Sequence, residues 1–211
     1  MAVITISRQF GAGGRTLGVR LAKKTDYLFL DEIIIYELAK KARVSLDSVR
    51  SVERSAGGFI SRLLARAVSP GYIDRITGKD IGYMDENIYL DTLAVVMKEL
   101  AAKDNLIILG RGGQFFLRDL ENAYHFLLVA DIQDRIGFIR KFYKMTDKEA
   151  EKIVADGDAR RARLFSKLHK TRYDSPNLYH MVFNMSRLTL DQVVEQIYTL
   201  ITDRLQDTSS A

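Results

Sequence analysis

Three glycines and an arginine-threonine pair lie close together near the start of the chain. They belong to the segment SRQFGAGGRTL, residues 7–17, which follows the apolar run VITIS and leads into the amphipathic stretch GRTLGVRLAKK. A glycine-rich turn between a strand and a helix lets backbone N–H groups converge on phosphate oxygens, and the helix dipole adds to the attraction. The segment therefore predicts a phosphate-binding loop.

The loop lacks the lysine of the GxxxxGK[ST] pattern. Arg8 stands at the first glycine position of that pattern, and Gly14 stands at the lysine position. Arg15, one position later, and Arg8, at the beginning of the loop, are the candidates to replace the missing cation. Arginine offers a fixed planar fork where lysine offers a point charge. The alternative is a tight turn whose glycines only permit close packing of the strand and the helix.

Two further candidates follow later apolar runs. Arg111 lies between Gly110 and Gly112 at the end of NLIILGRG, where it can present its guanidinium to a phosphate with little obstruction. Asp31 ends the run YLFLDE and is a candidate to orient a Mg²⁺-bound water or the acceptor phosphate. The structural alternatives are a turn with a solvent-facing arginine and a helix N-cap aspartate.

A basic helical region follows the fourth apolar run. Arg135 and Arg161 are the candidates to close on a triphosphate as a lid, because phosphoryl transfer spreads charge over oxygens that mobile cations stabilise. The other basic residues of the region are Arg140, Lys141, Lys144, Arg160, Arg163 and Lys167. A solvated helix face and a nucleic-acid-binding helix are the alternatives, but few aromatic residues interleave these charges.

The elements that must position these residues are readable from hydrophobic periodicity. Apolar runs at 3–7, 27–32, 105–112, 124–131 and 180–186 predict five strands. Because the runs are nearly continuous and are separated by amphipathic stretches, they predict an α/β fold with a mostly parallel sheet covered on both faces.

The intervening segments predict helices with marked beginnings. Capping-box sequences at 146–149 and 189–192 predict helix starts there. Residues 45–103 do not have the pattern of a sheet. They predict helices broken at Gly57-Gly58, a turn-rich loop, and then a long amphipathic helix.

Composition limits the classes of function. Of 211 residues none is cysteine, and the three histidines lack metal-ligand spacing, so thiolate and zinc sites are not expected. No window approaches the roughly 18 apolar residues of a membrane span. The beginning of the chain lacks a secretory pattern, and these features together predict a cytoplasmic protein with no membrane partner. A net charge of +5 favours polyanionic partners such as nucleotides.

The order of these motifs resembles the cytidylate kinase-like branch of the P-loop nucleoside monophosphate kinases, over essentially the whole chain. That family carries a GAGKGTL loop, an LD pair after the second strand, a GRD motif after the third, an arginine-rich lid and a closing (N/D)TS-x-L signature. The corresponding segments here are GAGGRTL at 11–17, Leu30-Asp31, Gly110-Arg111-Gly112, Arg135 with Asp158-x-x-Arg161, and Asn184, Ser186 and Leu188.

The resemblance implies roles for individual residues. The donor phosphates of ATP would lie on the loop residues Gly11, Ala12, Gly13, Gly14, Arg15 and Thr16, with Mg²⁺ at Thr16. Arg111 would grip the acceptor monophosphate beside Asp31, and Arg135 and Arg161 would act from the lid. Gly14 in place of lysine and Gly112 in place of aspartate are the two departures, and the second leaves cytosine specificity open.

The resemblance also implies a three-layer P-loop NTPase fold formed as a single domain over residues 1–211. Its parts would be a core at 1–44 and 104–134, a helical acceptor-side insertion at 45–103, a lid at 135–175, and a closing strand and helix at 176–211. The implied function is an ATP-dependent kinase acting on a nucleoside monophosphate or related phosphorylated small molecule.

Two other functions are weighed against this one. A catalytically silent nucleotide sensor would explain the missing lysine, and a nucleic-acid-binding module would rest on the isoelectric point alone. Monomer and homodimer both remain open, with the apolar stretch 59–84 as a candidate interface.

Overall fold

The computed structural model describes residues 2–31, 33–55, 86–103, 105–169 and 172–207. Five parallel strands form one sheet in the order β2-β3-β1-β4-β5. The strands are β1 Val3–Arg8, β2 Leu28–Leu30, β3 Leu106–Leu109, β4 Ala123–Val129 and β5 Met181–Asn184. Each of the five predicted strands is present, and the prediction of an α/β fold with a parallel sheet is confirmed.

The central strand β1 lies between β3 and β4. Ile4 is opposite Ile107 on one side and Tyr124 on the other, and both neighbours run parallel to β1. A strand that is paired on both edges and covered on both faces must be apolar almost throughout, which is why VITIS lacks alternation.

Eight α-helices surround the sheet in the described part of the chain. They are α1 Gly14–Thr25, α2 Ile33–Ala42, α3 Leu46–Ser55, α4 Glu86–Ala101, α5 Gly113–Phe116, α6 Ile132–Tyr143, α7 Asp147–His169 and α8 Leu190–Asp207. A short 3₁₀ helix, Pro176–Leu178, precedes β5.

Both predicted capping boxes are formed. The backbone N–H of Thr146 donates to Glu149 Oε2 at 2.9 Å, and the N–H of Glu149 donates to Thr146 Oγ1 at 3.4 Å. Thr189 and Gln192 exchange the same pair of bonds at 2.9 and 3.3 Å. These reciprocal bonds satisfy N–H groups that no helical carbonyl reaches, so they fix where α7 and α8 begin.

The sheet separates two hydrophobic cores. Val3 points into the first core, which is built with α2, α3 and α4 around Leu38, Tyr89 and Met97. Ile4 and Ile6 point into the second, which is built with α1 and α8 around Leu17 and Ile197. Successive side chains of a strand point to opposite faces, so β1 contributes to both cores.

A third, smaller core joins α6 to α7. Ile136 and Ile139 pack with Ala150 and Val154, and the half-buried ring of Phe10 packs against them. This contact brings the basic helices to the phosphate-binding loop, because Phe10 immediately precedes Gly11.

Part of the predicted insertion lies outside the described residues. This holds for the helix break at Gly57-Gly58, the turn-rich loop and the candidate interface at 59–84. None of the helices in the described ranges combines the length and apolarity needed to cross a membrane.

Candidate functional site

The glycine-rich turn between β1 and α1 has the geometry of a phosphate-binding loop. Gly11 and Gly13 have φ angles of +85° and +83°, in the left-handed region that favours glycine. Gly13 is the residue before α1, and no side chain caps the first N–H groups of that helix. The unsatisfied N–H groups and the helix dipole make this end of α1 a site for an anion.

Two clefts adjoin at the carboxyl edge of the sheet. The loop cleft, about 230 Å³, is lined by residues 11–16 of the loop together with Arg8, Phe10, Asp31, Leu109, Phe138, Ile139, Phe142, Tyr143 and Arg161. The arginine cleft, about 190 Å³, is lined by Arg8, Phe10, Asp31, Tyr89, Leu109, Arg111, Gly157, Arg160 and Arg161. The two clefts share Arg8, Phe10, Asp31, Leu109 and Arg161, so they form one site with two compartments.

Arg8, the last residue of β1, extends its side chain between two glycines. A Cβ atom on Gly14 would lie 3.0 Å from Arg8 Cγ, and one on Gly110 would lie 2.0 Å from Arg8 Nη1. The aliphatic stem therefore passes over the position where the lysine of the usual motif begins. The guanidinium ends at the turn that carries Arg111.

Arg111 is held in a strained conformation beside Asp31. Gly110, Arg111 and Gly112 have φ angles of +74°, +52° and +77°, and a side chain at such an angle is unfavourable. Arg111 Nη1 donates to the backbone carbonyl of Asp31 and lies 3.8 Å from its carboxylate. These contacts fix the guanidinium at the wall of the arginine cleft.

Gly112 takes the place of the family aspartate and is the residue before α5, with a φ angle of +77°. Glycine adopts this left-handed backbone freely, and aspartate is among the few other residues found there. The departure from the GRD motif therefore removes a carboxylate from this turn.

A hydrogen-bonded chain ties this turn to β1. Ser7 Oγ donates to Gln114 Oε1 at 2.9 Å, and Gln114 Nε2 donates to the Tyr179 hydroxyl at 3.0 Å. That hydroxyl in turn donates to the carbonyl of Tyr173. Because Ser7 precedes Arg8 and Gln114 follows Arg111 by three positions, the chain fixes the two arginine-bearing segments relative to each other.

Arg15 is the more exposed of the two candidates for the missing lysine. Its side chain is 72% exposed, and its Nε lies 3.7 Å from Asp31 Oδ2. It lines the loop cleft, whereas Arg8 lines both clefts.

Arg161 lies at the junction of the clefts on α7. Its guanidinium carbon is 5.1 Å from the centroid of the Phe10 ring, and its Nη1 donates to the carbonyl of Gly157 at 3.3 Å. Burial lowers the pKa of Arg161, and the nearby carboxylate of Asp158 opposes that shift. An arginine side chain does not lose its proton in a folded protein, so Arg161 contributes a positive charge to the junction.

Arg135 is placed differently from the other candidates. It is buried, with Nη1 2.5 Å from Asp158 Oδ2 and 3.2 Å from the carbonyl of Phe10, while its Nε donates to the carbonyl of Ala130 at 3.1 Å. It is not among the residues that line the two clefts. The structure thus brings Arg8, Arg15, Asp31, Arg111 and Arg161 together and sets Arg135 behind the loop.

Several residues that line the clefts belong to none of the predicted motifs. These are Phe10, Tyr89 and the aromatic residues of α6, whereas Arg160 was named only as one of the basic residues of its region. A signal was present for Phe138 and Phe142, because aromatic residues four positions apart on a helix share a face.

Asn184 and Ser186 of the closing signature form hydrogen bonds that hold the end of β4. The backbone N–H of Asp131 donates to Ser186 Oγ at 2.8 Å, and the N–H of Ser186 donates to Asn184 Oδ1 at 3.0 Å. These bonds join the end of β4, where α6 begins, to the turn before α8.

The residues of the loop cleft fit a weakly coordinated Mg²⁺. Thr16 and Asp31 supply a hydroxyl and a carboxylate there, and no cluster of three or more histidine or acidic residues suited to a metal occurs in the described ranges. Mg²⁺ usually takes only one or two protein ligands and completes its shell with waters and substrate phosphates.

Comparison with known proteins places the chain in a family and a fold. A model of the cytidylate kinase-like family matches residues 3–187. No curated protein sequence matches the chain.

Solved structures share the architecture at low sequence identity. An uncharacterised protein from Eubacterium ventriosum ATCC 27560 has a TM-score of 0.66 at 13% identity, with 96% of this chain and 99% of that chain covered. The shikimate kinase from Bacteroides thetaiotaomicron has a TM-score of 0.53 at 15% identity, with 95% and 98% covered. A gluconokinase from Sinorhizobium meliloti 1021 has a TM-score of 0.50 at 12% identity, with 99% and 95% covered. The shared fold is that of the P-loop kinases.

Proposed function

The chain belongs to the cytidylate kinase-like family, and on that premise we propose that it transfers the γ-phosphate of Mg-ATP to a nucleoside monophosphate or a related phosphorylated small molecule. The observation that carries the proposal is the pair of adjoining clefts. One contains the phosphate-binding loop, the other contains Arg111, and Arg8 and Arg161 line both.

The loop cleft is assigned to the phosphate donor. Its backbone N–H groups at 11–16 and the positive end of α1 favour a polyphosphate chain. Arg15 at the outer side of this cleft adds a screened charge, since its side chain is largely exposed.

Arg8 is assigned the role of the absent lysine. Its stem lies over Gly14, and its guanidinium ends between the loop and the Gly110 turn, where donor and acceptor phosphates would meet. A planar fork at that place can contact one oxygen of each phosphate.

The arginine cleft is assigned to the acceptor. Arg111 is oriented by Asp31, and Arg160 and Arg161 add positive charge to the same wall. With Arg8, four guanidinium groups surround this cleft, and they favour a phosphorylated acceptor over a neutral one.

The reaction requires positioning and charge stabilisation. An acceptor oxygen attacks the γ-phosphorus and forms a new P–O bond, while the bond to the β,γ-bridging oxygen breaks and ADP leaves with the electron pair. A phosphate acceptor brings no proton to remove, so no general base is needed. Arg8 and Arg161, at the junction of the clefts, stabilise the charge on the transferring group.

Thr16 and Asp31 are the residues that would hold Mg²⁺. The ion neutralises charge on the donor phosphates when it is bound there. Arg135 is assigned a positioning role, because its guanidinium holds Phe10 and Asp158 instead of lining a cleft.

The test is an assay of ADP formation from Mg-ATP across a panel of acceptors, alongside calorimetry of ATP binding. The panel contains the common nucleoside monophosphates and also shikimate and gluconate, because two structural neighbours are named as kinases of those kinds. ADP formation that depends on a nucleoside monophosphate is the expected result, and turnover of shikimate or gluconate alone would contradict a phosphorylated acceptor. ATP binding without turnover for every acceptor would contradict the proposal and favour a nucleotide sensor.

The variant Arg111→Ala tests whether acceptor use and ATP binding depend on different clefts. We expect kcat/KM for the acceptor to fall about tenfold to a hundredfold, because a charge-assisted bond to phosphate is lost, with the Kd for ATP within about twofold of the wild type. Arg118→Ala is the control, since Arg118 is exposed and lines neither cleft. Equal loss of ATP binding and acceptor use would contradict the assignment of Arg111 to the acceptor.

A further inference from the structure

One buried face of β1 changes from apolar to polar toward the carboxyl end of the strand. Val3, Thr5 and Ser7 point to the same side, because alternate residues of a strand share a face. Val3 belongs to the apolar core, whereas Thr5 and Ser7 are buried and form side-chain hydrogen bonds. Burying a polar side chain costs free energy unless it is hydrogen-bonded, so polarity at this end of the strand, beside Arg8, indicates a role beyond packing.

Helix α5 lies directly on these two polar residues. A Cβ atom on Gly113, its first residue, would lie 2.9 Å from Thr5 Cγ2, so the helix backbone approaches β1 more closely than a larger residue would allow. The next residue, Gln114, is buried, and its Oε1 accepts from Ser7 Oγ at 2.9 Å. The turn that carries Arg111 is therefore joined to β1 both by close packing and by a hydrogen bond between buried side chains.

The bond between Ser7 and Gln114 is the first of a series that reaches the segment after α7. Gln114 Nε2 donates to the Tyr179 hydroxyl at 3.0 Å, and that hydroxyl donates to the carbonyl of Tyr173. The direction of the series is fixed, because a carbonyl only accepts and the hydroxyl has one proton to donate. Burial raises the pKa of Tyr179, so the hydroxyl retains that proton. We call Ser7, Gln114 and Tyr179 the polar chain.

The far end of the polar chain is anchored close to α7. Tyr173 is buried, and its ring lies near Asp158 of α7: burial raises the pKa of the Tyr173 hydroxyl, and the charge of Asp158 raises it further. The polar chain therefore extends from a residue beside the helix that carries Arg161, past the turn of Arg111, to the strand that ends in Arg8.

We propose that Gln114 and Tyr179 are positioning residues for phosphoryl transfer, which hold the guanidinium groups of Arg8 and Arg111 at a fixed separation. The inference rests on the proposed function, in which Arg111 binds the acceptor and Arg8 lies where donor and acceptor phosphates meet. Hydrogen bonds are directional, so a buried series with every member paired favours one arrangement of the segments that it joins. Gln114 and Tyr179 are not among the residues that line the two clefts, so they act through the arginines.

The variant Tyr179→Phe removes one hydroxyl and keeps the ring. We expect kcat/KM for the acceptor to fall about tenfold, because small displacements of the turn of Arg111 misalign the reacting phosphates, while the Kd for ATP stays within about twofold of the wild type. Tyr198→Phe on α8 is the matched control, since Tyr198 lines neither cleft and its ring lies against the ammonium group of Lys24. Lower stability with unchanged kcat/KM would show a purely structural role, and an equal loss of ATP binding would show a general disturbance of the site; either result would overturn the proposal.

A double-mutant cycle tests whether the polar chain acts as a unit. Gln114→Met keeps the length of the side chain and removes both of its hydrogen bonds, so we expect it to lower kcat/KM about tenfold as well. Adding Tyr179→Phe to Gln114→Met is then expected to lower kcat/KM by less than about twofold further, because the series is already broken. Losses that multiply in the double variant would overturn the proposal, and Tyr179→Phe alone decides it if Gln114→Met does not fold.

The wild-type protein separates the two levels of inference. Its failure to form ADP with any acceptor would overturn the proposed function and the positioning role together. An active wild type with an unchanged Tyr179→Phe variant would overturn the positioning role alone.

Discussion

Arg8 and the two glycines beside it form one unit at the scale of the residue. The stem of Arg8 occupies the space that a side chain at position 14 would need, and its guanidinium occupies the space that a side chain at position 110 would need. We therefore propose that arginine at 8 supplies the cation that a lysine at 14 would supply. In this proposal the cation comes from the end of a strand instead of from the start of a helix.

A compensating pair of substitutions tests this equivalence. We expect Arg8→Ala to lower kcat about a hundredfold or more, as is typical when a group that stabilises transition-state charge is removed. Adding Gly14→Lys to Arg8→Ala is expected to restore at least about tenfold of the loss, because the Arg8 stem, the nearest obstacle to a side chain at 14, is then absent and Leu109 Cδ1 lies 3.3 Å from the added Cβ. Steady-state kinetics of both variants, with circular dichroism to verify folding, provide the measurement.

Arg15→Ala is the comparison variant for that experiment. Arg15 is exposed at the outer side of the loop cleft, so we expect its loss to lower kcat by only a few fold. A larger loss from Arg15→Ala than from Arg8→Ala would transfer the role of the lysine to Arg15.

Most polar residues that line the clefts were predictable from the sequence, but their relative importance was not. Asp31 and Arg111 were found because they end apolar runs, and the ends of parallel strands meet at one edge of the sheet. The choice between Arg8 and Arg15 depends on the direction of the Arg8 side chain and on the approach of Gly110, which is distant in sequence. The burial of Arg135 follows from its pairing with Asp158, which no local pattern indicates.

At the scale of the element, α7 is fastened to the phosphate-binding loop through Phe10. The N–H of Phe10 donates to Asp158 Oδ1 at 2.9 Å, its carbonyl accepts from Arg135, and its ring lies beneath Arg161. Gly157 leaves room for that ring, since a Cβ there would come within 2.5 Å of it. Helix α7 and the loop are thus joined by both backbone and side-chain contacts.

Two helical glycines offer a matched test of this joint. Alanine normally stabilises a helix by roughly 0.5–1 kcal/mol relative to glycine. We expect Gly157→Ala instead to lower the free energy of unfolding by about 1–3 kcal/mol, because the added methyl displaces Phe10. Gly137→Ala on α6 is the control, since nothing lies within 4 Å of its added Cβ. Urea unfolding gives the free energy of unfolding of both variants, and steady-state kinetics give their kcat. A gain of stability in both variants would show that Phe10 does not join α7 to the loop.

A strand or a helix start was predictable where a single local sequence pattern defined it. The strands and the starts of α7 and α8 follow from hydrophobic runs and capping boxes, and these were confirmed. The four-residue helix α5 was missed, because its sequence GQFF is too short to show helical periodicity. Its beginning depends on the left-handed Gly112, which no nearby residue type reveals.

At the scale of the whole molecule, the strand order explains why both clefts open at one edge. β3 and β4 lie on opposite sides of β1, so the chain reverses direction across the sheet at β1. Ligands of open α/β sheets bind outside the carboxyl ends of the strands at such a reversal. The loop after β1 and the turn after β3 are therefore neighbours.

The stability of the whole molecule is expected to depend on a buried histidine in the sheet. His125 on β4 has its Nδ1 2.8 Å from Thr5 Oγ1, and burial together with the nearby His180 lowers its pKa to about 4. The unfolded chain, with a histidine pKa of about 6.5, binds a proton that the folded chain does not bind between those values. Stability is therefore lost as the pH falls from about 6.5 toward 4.

His125→Asn isolates this effect. The substitution keeps a polar atom near Thr5 and removes the titration, so the wild type should lose about 2 kcal/mol more stability than the variant between pH 7 and pH 5. Urea unfolding at the two pH values gives the difference for each protein. Equal losses in wild type and variant would show that His125 does not set the acid dependence.

The sheet also divides the molecule into halves that can change separately. One core supports α1 and the glycine-rich loop, and the other supports α2 and α4 beside the arginine cleft. Since the side chains of the two cores point away from each other, mutations can accumulate beneath the arginine cleft without disturbing the packing beneath the loop. A lineage built on this plan can reshape one cleft by drift on one face while the loop on the other face is inherited unchanged.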